Sequence, residues 1–354
     1  PTSKVLFGTS GSEANDMQMK LTWYYNNARG KPEKKKFISR MRGYHGVTIA
    51  SGSLTGLPMV HTDFDLPIKN VLHTTCPHFY RGGQEGETEE QFTDRMAKDP
   101  DDLIQREGPE TIAAFIAEPI MGAGGVVVPP MSYFPKINAV LEKYDVRFIA
   151  DEVICGFGRT GNWFGSQTFG MKATSISMAK AITSAYFPMS AITIEEDLYQ
   201  AMVDESKKIG TFGHGFTYTA HPVGCAVALK TIEIYQRDRI VEHVRKVAPV
   251  FKARLDKLAE HPLVGEARGV GLIGALELVA DKKTRRAFDP KKMVGATCVN
   301  FLQALGLINR AMGDSVAFCP PLIITEHEIN EMFDMVGAAL DQTEAWVRKE
   351  NLRQ

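Results

Sequence analysis

The chain has 354 residues, more than a single hydrophobic core ordinarily serves, so two domains are expected. Hydrophobic residues make up 44% and charged residues 23%, which is ordinary soluble usage and argues for a folded chain over a disordered one. With 41 basic and 42 acidic residues the net charge is −1, so there is no electrostatic basis for a nucleic-acid or anionic-membrane partner.

No apolar run approaches the roughly 20 residues needed to cross a bilayer, and neither membrane nor nucleic acid is expected as a partner. Five cysteines, Cys76, Cys155, Cys225, Cys298 and Cys319, are scattered and odd in number. That pattern reads as reduced thiols in a cytoplasm, not as the disulfide framework of a small secreted domain. His73, Cys76 and His78 lie close together, but no second cluster with zinc-like spacing accompanies them, so no metal is expected. The sequence opens on Pro1 and enters the apolar run Val5-Leu6-Phe7 almost at once, which reads as a start inside a longer chain.

A strand over Val5 to Phe7 leads through Gly8-Thr9-Ser10-Gly11-Ser12 to a helix expected from Glu13 to about Arg29, with Ser10 and Glu13 at capping-box spacing. A second strand over Lys36 to Arg40 precedes the glycine-bounded loop Gly43-Tyr44-His45-Gly46. The polar, acidic stretch from Gly83 to Asp102 reads as a surface excursion. Then come a strand over Ile112 to Ala117, a helix over Phe134 to Lys143, and the apolar run Val146 to Ala150 that closes on Asp151. Short apolar runs alternating with helices predict a mainly parallel sheet covered on both faces, an α/β arrangement. In such sheets ligands bind beyond the carboxyl ends of the strands, where Gly8, Glu118 and Asp151 all fall.

Near Thr231 the pattern changes. An amphipathic stretch from Ile240 to Leu258 is followed by two glycine-punctuated runs over 269–274 and 275–279 and a helix near Met293 to Leu305. A strand over Val316 to Cys319 and a helix opened by Thr325, with Glu328 three residues on, complete the chain. Residues 1–230 are therefore read as a large domain and 231–354 as a smaller α+β domain.

The chemistry is carried by a combination. Lys180 sits among small and apolar neighbours in Ser177-Met178-Ala179-Lys180-Ala181, where burial would favour the neutral amine that forms an imine. Asp151, at the end of a buried strand, can hold a proton on a pyridine nitrogen and so make the ring of pyridoxal phosphate an electron sink. Thr9 to Asn15 places small residues and free backbone N–H groups at a helix start, suited to a phosphate or to simple capping. The segment lacks the Gly-Lys-Ser/Thr ending of a nucleotide loop, which argues against nucleotide hydrolysis despite the Asp151-Glu152 pair. Tyr44 could stack on a planar cofactor or pack in a core or interface.

In order, Ser10-Gly11-Ser12-Glu13-Ala14-Asn15-Asp16, Arg42-Gly43-Tyr44-His45-Gly46-Val47-Thr48, Ala117-Glu118-Pro119, Ile149-Ala150-Asp151-Glu152-Val153, Gly156 to Gly161, Lys180 and Gly213 to Tyr218 resemble the class III, subgroup II aminotransferases, especially the ω-transaminases that use pyruvate. The resemblance implies fold type I, with pyridoxal phosphate as cofactor. It implies that Lys180 bonds the cofactor and moves the proton, that Asp151 pairs with the pyridinium, and that Gly11 and Ser12 hold the phosphate. Tyr44 and Val153 would cover the two ring faces, and Glu118 would support the ring's surroundings. Thr217 would reach the phosphate of a second subunit, so a homodimer with shared sites is implied. Arg310 would be a mobile arginine that grips an α-carboxylate and swings away for an apolar amine. Val47, Ala123 and Ile154 would line the substrate pocket. The family's usual N-terminal segment is absent from this sequence. The expected reaction moves an amino group from an amine to pyruvate or a similar α-keto acid. Alternatives are an aminomutase or decarboxylase on the same fold, or an impaired binding protein.

Overall fold

Among the described residues, 2–353 of this computed structural model, one large sheet carries the first half of the fold. Its strands are β1 (Thr2–Gly8), β2 (Lys36–Arg40), β3 (Val71–Thr74), β4 (Ile112–Ala117), β5 (Arg147–Asp151), β6 (Ser175–Met178) and β7 (Ser190–Glu195), ordered β1-β7-β6-β5-β4-β2-β3. The five from β3 to β6 along that order pair in parallel, and β7 is antiparallel to both β6 and β1. Hence β1 points the same way as the parallel set. Gly8, Ala117, Asp151 and Met178 all end at one edge of the sheet.

The local sequence explains the layers. Every residue of β4 and β5 is buried, as continuous apolar runs require when helices cover both faces. Helix α1 (Gly11–Ala28) turns Met19 toward Phe37, Ile116 and Ile149, and Ala14, Met17 and Leu21 toward Ile192 and Ile194. Its expected capping box is half made. The Ser10 hydroxyl accepts from the Glu13 N–H, but the Glu13 carboxylate accepts from the Thr9 N–H and hydroxyl instead of returning to Ser10.

One expectation fails outright. A helix with a complete Thr88–Gln91 capping box, Glu89–Glu107, begins inside the stretch read as a polar excursion and runs past its end at Asp102. Phe92, Met96, Leu103 and Ile104 form its buried stripe while the charges face outward. The acidic composition concealed a helical period. Strands β3 and β7 were also not read from the sequence.

The chain forms two compact units. The first runs to Pro119 and resumes through Pro129–Phe157 and Phe164–Asp238; the second takes Ile120–Val128, Gly158–Trp163 and everything from Arg239 on. A single cut near residue 230 does not describe this division. The helix Pro222–Arg237 passes straight through that position, and the two short excursions leave the first unit soon after β4 and β5.

The second unit has its own antiparallel sheet, ordered β10 (Arg310–Met312), β11 (Ser315–Phe318), β9 (Ile273–Leu278), β8 (Val264–Val270). Helices Ile240–Lys257, Val294–Ala304 and Glu326–Lys349 pack on it around Val244, Phe251, Leu276 and Phe333. Thr325 and Glu328 form the expected capping box. Phe333 meets the rings of Phe251 and Phe318 at 5.2 and 5.6 Å between centroids. Phe333→Ala is expected to lower the stability of this unit by about 3–5 kcal/mol, measured by calorimetric melting; a loss below about 1 kcal/mol would mean that the core closes over the gap.

Candidate active site

At the carboxyl edge of the large sheet the first unit encloses a cavity of about 360 Å³. The turn after β1 contributes Thr9 and Ser10, the start of α1 contributes Gly11, Ser12 and Asn15, and the glycine-bounded loop contributes Tyr44, His45 and Gly46. The ends of β4 and β5 supply Glu118, Asp151, Val153 and Ile154, and the turn after β6 supplies Lys180. Six residues expected to hold a cofactor, Gly11, Ser12, Tyr44, Asp151, Val153 and Lys180, thus line one space together with Ile154.

The other expected residues fall elsewhere. Val47 follows the lining residue Gly46 but is itself 66% exposed, and it is not part of the cavity wall. Thr217 is exposed in the segment between the helices Glu196–Ile209 and Pro222–Arg237. Ala123 and Arg310 belong to the second unit. Arg310 is exposed and opens β10 opposite Ala317.

Asp151 is 3% exposed, and three donors converge on it. Asn15 Nδ2 donates to Oδ2 at 2.8 Å, His45 Nδ1 lies 2.8 Å from the same oxygen, and the Val153 N–H donates to Oδ1 at 3.1 Å. A carboxylate oxygen can only accept, so the proton of the histidine bond sits on Nδ1. Asn15 Nδ2 also donates to the His45 carbonyl at 2.7 Å, which locks α1, the loop and β5 into one arrangement. Neither Asn15 nor His45 was picked out from the sequence. The available signal was their position inside the two motifs already quoted, one turn beyond Gly11 and next to Tyr44.

Glu118 is buried, and its Oε1 accepts from the Tyr44 backbone N–H at 2.9 Å. Gly46 has φ +136°, and a Cβ there would fall 2.3 Å from Ser51 Oγ and 2.6 Å from Ser12 Oγ. A Cβ on Gly11 would press on Val153 at 3.3 Å. Ser12 Oγ accepts from the Val47 N–H at 3.2 Å, which fastens the loop over the start of α1.

Lys180 departs from expectation. Its side chain is exposed at the cavity instead of buried among its apolar neighbours, because β6 ends at Met178 and the backbone turns out at once. That turn is strained: Lys180, Ser184 and Ala185 have φ of +41°, +48° and +66°. Side chains rarely adopt such backbone, and it persists where surrounding structure imposes it, often at functional sites.

The chain matches the family model "Aminotransferase class-III" over residues 1–340. The chain belongs to the class-III aminotransferase family. Among its relatives, "Gamma aminobutyrate transaminase 1, mitochondrial" from Solanum lycopersicum is 50% identical over 347 residues, covering 98% of this chain and 67% of the relative. The chain thus spans about two thirds of the length of that curated relative. A solved structure described as "Transaminase with L-ala" is 55% identical with a TM-score of 0.97, covering 98% of this chain and 82% of that one. The ω-transaminase of Pseudomonas jessenii in complex with PMP is 51% identical with a TM-score of 0.96, covering 98% and 77%. Class-III aminotransferases are pyridoxal-phosphate enzymes of fold type I, and the large mixed sheet with a smaller antiparallel sheet is that fold.

This aminotransferase carries one further buried acid beside Asp151. Glu152 is 1% exposed and accepts from the N–H groups of Gly165 and Ser166 at 2.9 and 2.6 Å. Burial, with a smaller push from the Asp151 charge, raises its pKa from 4.5 to about 7 against the pull of those donors. Between those values the folded chain keeps a proton that the unfolded chain has released, so stability falls as pH rises through that window and levels off above it. Glu152→Gln is expected to remove this slope, a swing on the order of 3 kcal/mol, read by urea unfolding at a series of pH values. Parallel pH curves for the two proteins would clear Glu152 of the effect.

Proposed function

We propose that the chain transfers an amino group from an amine donor to pyruvate or a similar α-keto acid, with pyridoxal phosphate and pyridoxamine phosphate as the two forms of the carrier. The observation that carries this reading is a single cavity lined by Lys180, Asp151 and the open N-terminus of α1. The residues present fit the cofactor. The start of an 18-residue helix offers backbone donors and a positive dipole end to a phosphate; the backbone at Gly46 leaves no room for a side chain, and that at Gly11 admits a Cβ only in tight contact with Val153. When bound, pyridoxal phosphate supplies an electron sink for charge that develops at the substrate carbon.

In this reading Gly11 and Ser12 hold the phosphate, Tyr44 and Val153 cover the ring faces, and Asp151 keeps the proton on the ring nitrogen. His45 and Asn15 support that role by fixing the Asp151 carboxylate. Lys180 takes the proton from the substrate carbon and returns it, acting as general base and then acid. Its exposure at the cavity suits a group that must change partners within a cycle. Arg310 grips the carboxylate of the keto acid, and Val47, Ala123 and Ile154 bound the space for the amine. Alanine is what pyruvate becomes on accepting the amino group, and the solved relative described with L-ala supports that acceptor. The relatives described are transaminases by name, which favours transfer over the aminomutase and decarboxylase alternatives.

The working unit in this proposal is a homodimer, with Thr217 reaching the phosphate in the second copy. Tyr186, Tyr218 and Leu229 are 85%, 72% and 71% exposed, and a second copy would cover such side chains. Among the described residues no helix is long and apolar enough to cross a membrane. The scattered, odd set of five cysteines in the sequence favours a reducing compartment, the cytoplasm in our reading, although the tomato relative is named mitochondrial.

The protein with added pyridoxal phosphate should show a visible band that a simple amine bleaches and pyruvate restores, and Lys180→Ala should abolish it. Arg310→Ala should slow the pyruvate half by about tenfold or more while sparing the amine half; equal loss in both halves would remove Arg310 from carboxylate recognition. Light scattering should give twice the chain mass, and a fully active monomer would overturn the shared site.

A further inference from the structure

Between β6 and β7 the chain forms one wall of the cavity, with Lys180, Thr183, Ala185 and Phe187 among its lining residues. Lys180–Ile182 is a single 3-10 turn, and further turns follow before β7 begins at Ser190. The internal bonds of this segment are long. The N–H groups of Thr183 and Ala185 donate to the Lys180 carbonyl at 3.3 and 3.4 Å, and that of Ser184 donates to the Ala181 carbonyl at 3.2 Å. With left-handed backbone at Lys180, Ser184 and Ala185 as well, the segment has little of its own to keep it in one shape, so its shape is imposed from outside.

Two hydroxyl groups of the same unit impose it. Thr183 is 1% exposed, and its Oγ1 donates to the Phe187 carbonyl at 2.7 Å, which ties the segment across four residues. The Tyr235 hydroxyl donates to the carbonyl of Ala181, the residue after Lys180, at 2.8 Å. Tyr235 lies near the end of the helix Pro222–Arg237, and its ring packs beside buried Phe157 at 6.2 Å between centroids. Near the start of that helix, a Cβ on Gly224 would fall 2.7 Å from the Phe187 ring, and the His221 ring lies 5.5 Å from it. One helix therefore grips the segment at both ends, at Ala181 through a hydrogen bond and at Phe187 through close packing.

We infer that Tyr235 and Thr183 are positioning residues for Lys180: their hydroxyls hold the strained turn in the shape that presents the lysine amine to the cavity. This rests on the transaminase reading, in which Lys180 moves the proton. A group that takes a proton from one carbon works within a narrow range of distance and angle, and a misplacement of about 1 Å can cost on the order of a hundredfold in rate. Both hydroxyl protons are committed to backbone carbonyls, so the part these residues play is to hold the main chain and not to exchange protons with substrate.

The test compares the parent with Tyr235→Phe and Thr183→Val, each of which removes one hydroxyl at nearly constant size, and with Thr183→Ser, which keeps it. Hydrogen exchange of peptides covering 180–187 should quicken by about tenfold in the first two variants, with and without pyridoxal phosphate, while the helix Glu196–Ile209 keeps its parent rate. In single turnovers of the loaded protein with an amine, the maximal rate should fall by about tenfold while the half-saturating amine concentration stays near the parent's. Deuterium at the amine-bearing carbon should slow these variants by a larger factor than it slows the parent, because proton transfer has become the slower step. Thr183→Ser should return every reading toward the parent. Parent-like exchange over 180–187 in both hydroxyl-deleted variants would overturn the hold, and so would exchange that quickens equally in the helix Glu196–Ile209. Faster exchange in the turn with the parent's rate and isotope effect would overturn the positioning role. A parent that turns over no amine would sink the transaminase reading itself, and exchange would still judge the hold.

Discussion

A carboxylate withdrawn from water at the end of a parallel strand must be given donors, and much of this active site is the means of giving them. Leaving Asp151 buried without partners would cost several kcal/mol. Its partners come from three separate stretches: Asn15 on α1, His45 in the loop after β2, and the Val153 backbone just beyond β5. The same bonds fix the start of α1 relative to the loop that carries Tyr44. The proposed phosphate site, stacking ring and ring-nitrogen partner are thereby set in register by the needs of one buried acid.

The strand order serves the same end. Because β1 runs with the parallel set although it pairs through the antiparallel β7, the turn after Gly8 opens at the edge where Asp151 and Met178 end. From that edge the chain makes its two short excursions into the second unit, and arginines hold both. Arg268 holds the one after β4, and Arg245, through the Gly161 carbonyl and Asn162 Oδ1, holds the one after β5. Guanidinium groups suit this work, since they satisfy several carbonyls from one fixed plane.

Much of the cavity wall was legible in the sequence, because it depends on local signals: glycine-bounded loops, a helix start rich in small residues, and apolar runs that stop at an acid. The helix over Glu89–Glu107 was not legible as such, since its polar composition outweighed the stripe of Phe92, Met96, Leu103 and Ile104. Nor were His45 and Arg268, whose roles depend on partners 106 and 142 residues away in the chain. The exposure of Lys180 was misjudged for a related reason. Its apolar neighbours belong to a strand end and a tight turn, and the turn directs the lysine away from them.

The bond from the Tyr44 N–H to Glu118 separates two jobs that a single aromatic residue might have had to perform together. Position is fixed through the main chain, and the ring is left as cargo on a backbone already anchored. The amino-acid alphabet at that site is therefore open in one dimension: any flat side chain inherits the same address. In the proposed reading, variation there tunes how tightly a planar ligand is gripped without redrawing the loop, and the acid that anchors the backbone lies 74 residues away, at the end of a different strand.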